Sequence, residues 1–540
     1  VTRVWLVGPE DRVTAEIAGR LAGCTVSHAA ADAPDDVDDV EVAVYRPRLR
    51  RGSGLPDADE AEAFFRAAGR VPRAVLLASA AVHAPHHHNL GYVSESYRSQ
   101  GSNPVAGAWA ELEARFASRL PEAERIVLRP APVAAPDGND FFSRLLSGRA
   151  AVVPPGFDPA LQLLAPEDLA AAVACAVERG AGKPGAYFVA PRGAVPVRGA
   201  LRLAGVRRLP LRWLDRGGWS GYLRHNWTVS GSRIETELGF VPRTTSAEAV
   251  LAAFGKGETA AAAEFDDFGL DAGYIAAYER TLFRFLHDFY WRIEYQGLEH
   301  VPEQGRAVLT GMHRGFMPWD GVMALVGVHR AVGRIPRFLI HPCLIKPPFL
   351  ANYMTKLGGI LACQENADWV LGNEGLLGMF PEGIHGAFTP YRVAYRLGKF
   401  GRDEYVKMAL RNRAPIVPFV TVGSAEIYPI LGRLDWKWVK RATEWLYLPL
   451  CPNFPLPGLP LPSKWHTRFL EPMHVEQQYA PAAADDPGVV RAISREARAR
   501  MQAAIDEMLA RRKSIFRGSV FDREGAGGAG TREEAATPSQ

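Results

Sequence analysis

The chain has 540 residues, with 63 Lys and Arg against 59 Asp and Glu, a formal net charge of +4, and 47% hydrophobic against 23% charged residues. That length exceeds one ordinary hydrophobic core, so two domains of roughly 200–270 residues are expected. The balance excludes a chain that is disordered throughout, and the lack of a long basic run excludes a nucleic-acid-binding arm. Five scattered cysteines, Cys24, Cys175, Cys343, Cys363 and Cys451, form no CxxC pair and no zinc-ligand spacing, which points to a reducing, cytosolic setting.

In chain order, the opening run Val4–Val7 is too short for a signal peptide and is expected to be a strand. Further short apolar runs follow at Val40–Tyr45, Ala74–Ala78, Ile126–Leu128 and Tyr187–Val189, separated by amphipathic stretches such as Ala61–Ala68, Ala106–Leu120 and Glu167–Arg179. Strand and helix patterns in alternation predict an α/β fold, a Rossmann-like doubly wound parallel sheet over residues 1–255. Residues 256–270 follow Gly255, run from Lys256-Gly257-Glu258-Thr259 into alanines, and are expected to be a linker. Residues 271–515 form a second α/β domain with a mixed sheet, starting from the aromatic helical stretch Tyr274–Trp291 and using strands at Ala307–Thr310, Gly378–Phe380 and Ile416–Val422. The Gly-, Ala-, Glu- and Thr-rich tail 516–540 is expected to be disordered. No window offers ~18 consecutive apolar residues, so no membrane-spanning helix is expected.

The first half carries Gly8 after its opening strand, Ala74-Val75-Leu76-Leu77-Ala78-Ser79, Arg129-Pro130, Pro166-Glu167-Asp168-Leu169-Ala170 and Glu237-Leu238-Gly239-Phe240-Val241-Pro242. In that order these segments resemble the extended short-chain dehydrogenase/reductase family, which includes NAD-dependent sugar-nucleotide epimerases. A dinucleotide turn requires glycines so that backbone N–H groups reach the pyrophosphate at a helix N-terminus. Here Asp11 and Thr14 stand where the family's second and third glycines fall, and Val105 and Trp109 replace the Tyr and Lys of its catalytic pair. Neither can hand over a proton. No cofactor is expected, therefore, at the degenerate turn around Gly8. Epimerase or reductase activity, and a non-catalytic interaction module, remain the alternatives for this half. His83 with His86-His87-His88 lacks an acid or cysteine at ligand spacing, so a solvated loop and no metal are expected.

In the second half four blocks occur in order. The first runs from Trp291-Arg292-Ile293-Glu294-Tyr295 through the strand Ala307–Thr310 to Met312-His313 and on to Asp320-Gly321. The second is Lys356-Leu357-Gly358-Gly359-Ile360, continuing to Gln364-Glu365-Asn366-Ala367, and the third is Gly378-Met379-Phe380-Pro381-Glu382-Gly383. The fourth is Pro415-Ile416-Val417-Pro418-Phe419-Val420. Together they resemble the PlsC-like lysophospholipid and glycerolipid acyltransferases, in their monoacylglycerol-acyltransferase-like branch.

That resemblance implies His313 as general base and Asp320 as its carboxylate partner. A hydroxyl is a poor nucleophile near neutral pH, so a base must take its proton during attack on a thioester. The six residues between His313 and Asp320 exceed the family's usual four, and a loop containing Pro318 is expected to fold back; N-capping of a helix Gly321–Val328 is compatible with this role. The resemblance also implies substrate-binding roles for Phe380, Pro381, Glu382, Gly383, Gly358, Gly359 and Pro418, with the Glu382 carboxylate reaching acceptor or base. Gln364, Ile384 and His385 stand where basic or hydroxyl residues are common, which leaves Arg392, Arg396 and Lys399 as the nearest partners for any phosphate. The expected partners are an acyl thioester, acyl-CoA or acyl carrier protein, a lipid acceptor, and a membrane surface met peripherally from the cytoplasm. The aromatic stretch and the uncharged, proline-rich Tyr447–Pro462 supply the apolar surface for that contact.

Overall fold

The structure is a computed structural model that describes residues 2–28, 39–89, 91–98, 101–210, 218–255, 266, 268–401, 403–452 and 460–521. The chain forms two compact units, Val1–Gly273 with Leu344–Leu361, and Tyr274–Cys343 with Ala362–Gln540.

In the first unit, β1 (Arg3–Val7), α1 (Arg12–Arg20), β2 (Thr25–His28), β3 (Val42–Tyr45), β4 (Arg73–Leu77), α2 (Pro104–Arg119), β5 (Glu124–Pro130), α3 (Pro166–Arg179) and β6 (Gly185–Val189) build a 6-stranded sheet in the order β2-β1-β3-β4-β5-β6. Every pairing in it is parallel. Side chains alternate faces along a strand, and helices cover both faces of a parallel sheet. Trp5 and Val7 accordingly enter one core with Tyr45 and Phe64, while Val4 and Leu6 enter the other with Val13, Ile17 and Leu169. The doubly wound expectation holds, with β3 starting at Val42 rather than Val40. The polar edge strand β2 gave no apolar run to find.

Leu344–Leu361 belongs with this unit. Its helix Leu350–Lys356 ends on a turn at Gly358, whose φ is +85°. The Lys356 ammonium lies 3.0 Å from Asp271 and 3.4 Å from Asp158, whose carboxylate is wholly buried. Burial raises the Asp158 carboxyl above the usual carboxylate range, against the pull of the Lys356 charge.

In the second unit, β7 (Glu294–Gln296), β8 (Ala307–Gly311), α4 (Trp319–Val332), β9 (Arg337–Ile340), β10 (Leu376–Met379), β11 (Ile416–Val422), β12 (His466–Phe469) and α5 (Pro487–Arg511) place strands in the order β7-β12-β11-β8-β10-β9. The sheet is mixed, since β11 and β12 pair antiparallel and the other pairs run parallel. β8 is buried along its whole length between β10 and β11, which suits its continuous apolar sequence.

Three expectations change. The aromatic stretch is not one helix: Ala272–Arg280 stops at Thr281, and Phe285–Tyr290 forms a wider π turn. Of its rings, Phe283 and Trp291 are core, with Trp291 stacked on Trp465 at 4.4 Å, whereas Phe285 and Phe289 are exposed. Second, the expected linker 256–270 lies outside the described residues except for 266 and 268–270, where Asp266 accepts the N–H groups of Phe268 and Leu270 and both side chains are buried. Third, the expected tail begins too early. Residues 516–521 are held to the second unit through Arg292 to the Phe516 carbonyl and Ser519 to Glu294, and residues 522–540 lie outside the described set. No helix among the described residues is long and apolar enough to cross a membrane.

Candidate active site

β8 ends at Gly311 and delivers Met312 and His313 beyond the sheet's carboxyl edge. The next residues turn sharply, with Gly315 at φ +81° and Phe316 at φ +58°, and the Trp319 N–H closes the turn on the Met317 carbonyl at 2.8 Å. A Cβ at Gly315 would sit 2.4 Å from the Ser424 carbonyl oxygen, so only glycine fits the bend. The turn takes up the two extra residues and brings Asp320, in the first turn of α4, back to His313.

The His313 Nδ1 lies 2.8 and 2.9 Å from the two Asp320 carboxylate oxygens. Those oxygens also accept the Arg314 N–H at 2.7 Å and the Gly321 N–H at 2.9 Å. An ionised carboxylate only accepts, so Nδ1 carries the proton and Nε2 presents its lone pair. The Asp320 side chain is fully buried and that of His313 is 12% exposed, an arrangement that fixes the tautomer while leaving an edge of the imidazole reachable. Asp320 lies inside the helix it was expected to cap, with Pro318 at the N-cap position.

Beneath the imidazole lies an aromatic floor. His313 stacks on Phe380 at 4.8 Å, Phe380 on Phe338 at 5.5 Å, and Phe419 meets Phe380 edge-on at 6.0 Å. Glycines make room for it: a Cβ at Gly311 would fall 2.2 Å from the Phe419 ring, and one at Gly378 2.7 Å from Phe338. Phe380 comes from the Phe-Pro-Glu-Gly turn after β10, which closes through the Gly383 N–H to the Phe380 carbonyl at 2.9 Å, with Gly383 at φ +56°. Pro418 sits in β11 opposite Thr310.

Glu382 behaves differently from expectation. Its carboxylate makes no bond to His313; it takes the Arg314 guanidinium at 2.6 and 3.1 Å and the Gly398 N–H at 2.6 Å. Arg314 is almost completely buried and donates further to the carbonyls of His313, Arg396 and Ala394. Sequence reasoning passed over Arg314, although it follows the base directly and is the buried counter-charge that Glu382 needs. Arg392, Arg396 and Lys399, the expected phosphate partners, are exposed. Gly358 and Gly359 form the turn that ends the helix Leu350–Lys356 in the first unit.

In the first unit, the turn after β1 does not fit a pyrophosphate. Asp11 caps α1 and accepts the Thr14 N–H at 3.0 Å, the donor a phosphate oxygen would need. Arg46 crosses the same space to Asp11 at 2.5 Å and to the Thr14 hydroxyl at 2.8 Å. Val105 and Trp109 are buried in α2 and offer no acid–base group. A cavity of about 120 Å³ remains between Asp11, Arg46, Ser79, Trp109 and Trp227. His83 is buried, not part of a solvated loop, and burial followed by the Arg129 charge lowers its pKa to about 4.

Residues 292–422 match the Acyltransferase family. Proteins of Mycobacterium bovis and Mycobacterium tuberculosis, described as uncharacterised, are 38% identical over 259 residues, 47% of this chain and 72% of theirs. One from Mycobacterium leprae is 37% identical over 259 residues, covering 70% of its length. Two solved structures overlap 47% of this chain and 98% of their own: a UDP-N-acetylglucosamine 4-epimerase from Bacillus cereus, 13% identical with TM-score 0.37, and the NAD complex of a Thermus thermophilus UDP-glucose 4-epimerase, 14% identical with TM-score 0.36.

Proposed function

We propose, from the premise that this chain belongs to one family with those mycobacterial proteins and carries an acyltransferase domain, that it moves an acyl group from a thioester to a hydroxyl of a glycerolipid or lysophospholipid-type acceptor. The observation that carries the reading is the His313–Asp320 pair above the Phe380 floor. In this reading His313 Nε2 takes the hydroxyl proton as the acceptor oxygen bonds to the thioester carbonyl carbon. The C–S bond then breaks, and the proton passes from the imidazolium to the departing thiolate of CoA or of acyl carrier protein. Buried Asp320 stabilises the imidazolium between the two steps. Phe380, Pro381, Gly383 and Pro418 shape the pocket walls, and Glu382 does so through Arg314. No metal or redox cofactor is required by this chemistry.

The first unit serves, in the same reading, as a non-catalytic module, because the Asp11–Arg46 pair and the Asp11 cap occupy the nucleotide turn. The protein works on the cytoplasmic face of a membrane without spanning it. His313→Ala tests the mechanism: it should lower acyl transfer by about 10²–10⁴ while the circular dichroism stays unchanged, and near-wild-type turnover by the folded variant overturns it. Mass spectrometry of products from mixed acyl donors and acceptors identifies the substrates.

A further inference from the structure

Between the antiparallel strands Gly432–Leu434 and Leu448–Leu450, the second unit carries a short helix, Lys437–Thr443. Val439 is its buried side. On its outer side Trp438 is 68% exposed and Trp436 47% exposed, their rings stacked at 6.0 Å, and Leu431 at the root of the strands is 71% exposed. Tryptophan is rarely left in water, because its large ring gains most from burial, so a paired and exposed set marks a surface with a use.

The charges around these rings indicate which use. Residues 431–446 hold Arg433, Lys437, Lys440 and Arg441 against Asp435 and Glu444. Asp435 pairs with Lys440 at 2.8 Å and Arg433 at 3.6 Å, and four cations against two acids leave the tip a formal charge of +2. Indole rings settle at headgroup depth in a bilayer, and Lys and Arg beside them meet anionic lipid phosphates. The lobe is rooted beside the catalytic loop as well. Trp445 stands edge-on to Phe316 at 4.9 Å, Tyr447 packs on Phe388 at 5.1 Å, and Phe316 lies between His313 and Asp320 in sequence.

We propose that the 431–450 lobe docks the protein on an anionic lipid bilayer. Trp436, Trp438 and Leu431 enter the headgroup layer, and Lys437 and Arg441 face the phosphates, with Lys440 adding its charge from beside Asp435. The choice of lipid as occupant rests on the acyl-transfer reading. Docking there sets the loop that carries the base–acid pair close to the surface holding a lipid acceptor, so that the acceptor need not leave the membrane entirely.

The test is flotation of the full chain with phosphatidylcholine vesicles and with vesicles that also contain phosphatidylglycerol, at low and high salt. Wild-type protein should float with the anionic vesicles at low salt and be released by high salt. W436S/W438S should bind about tenfold more weakly or worse, and K437E/K440E should lose the preference for phosphatidylglycerol, both with unchanged circular dichroism and melting temperature. Wild-type protein that stays in the soluble fraction overturns the proposal, as does a W436S/W438S variant that floats normally. A size-exclusion shift from dimer to monomer in W436S/W438S, with vesicle binding intact, assigns the surface instead to a second copy of this chain and overturns it too. His313→Ala should float like wild type. Salt-sensitive flotation by a protein with no acyl transfer would leave the docking lobe standing and remove only the catalytic reading.

Discussion

Arg314 and Glu382 form a two-pronged ion pair, at 2.6 and 3.1 Å, with both side chains almost wholly out of solvent. The Arg314 backbone N–H holds Asp320 at the same time, so one residue links the Phe-Pro-Glu-Gly turn to the base–acid pair. Stranding one partner of such a pair leaves an uncompensated buried charge. Glu382→Leu or Arg314→Met alone should therefore cost about 3–5 kcal/mol of stability, while the double variant R314M/E382L recovers most of it. Urea denaturation of the four proteins checks this, and additive losses would contradict it.

Asp320→Asn should keep the fold but lower kcat by about 10²–10⁴ with KM little changed, because the amide no longer fixes the imidazole tautomer or stabilises its cation. Steady-state kinetics on the folded variant decide it. A change confined to KM would make Asp320 a binding residue instead.

Calorimetry with NAD and NADP should give no saturable heat in the micromolar range, since Asp11 already satisfies the Thr14 N–H and Arg46 crosses the turn. Tight binding, or hydride transfer to any sugar nucleotide, would refute the silent reading of the first unit.

Stability of the second unit should depend on acid through His466. Burial, opposed in part by Glu294, lowers its pKa to about 4, so it is neutral in the fold and takes up a proton near 6.5 only when unfolded. Its contribution is complete above about pH 6.5 and is lost as pH falls towards 4, on the order of 3 kcal/mol in total. A His466→Phe variant, followed by chemical denaturation from pH 7.5 to 4.5, should show a flatter acid limb; an identical slope would exclude His466 as the source.

A fragment beginning at residue 271 should fold poorly. It keeps Leu344–Leu361 but loses the unit with which that segment packs, and Lys356 keeps Asp271 but loses Asp158. Equal solubility of the fragment and the full chain is the contrary result.

Much of this was legible in the sequence where chemistry is local. β8 shows as a continuous apolar run because both its edges and both its faces are covered, and the Phe-Pro-Glu-Gly turn shows because Gly383 holds a positive φ. Asp320 could be paired with His313 across six residues only by supposing a tight bend, which Gly315 and Phe316 supply. What stayed hidden depends on distant partners. Arg314 looks like a surface cation until Glu382, 68 positions on, is brought against it, and Lys356 looks like part of the second domain until Asp158 meets it. The exposed pair Trp436 and Trp438 resembles any amphipathic stretch until the solvent side is known.

The grouping of Leu344–Leu361 with the first unit also sets an order of events during synthesis. A chain emerges from the ribosome N-terminus first, and domains fold as they become complete. Here the first unit is not complete when residue 273 appears, because its last segment ends at Leu361, after β8, His313 and α4 have been made. Both cores of the N-terminal sheet lie before residue 255 and can close early, whereas the segment Leu344–Leu361 can be added only once the opening of the second unit is outside the ribosome.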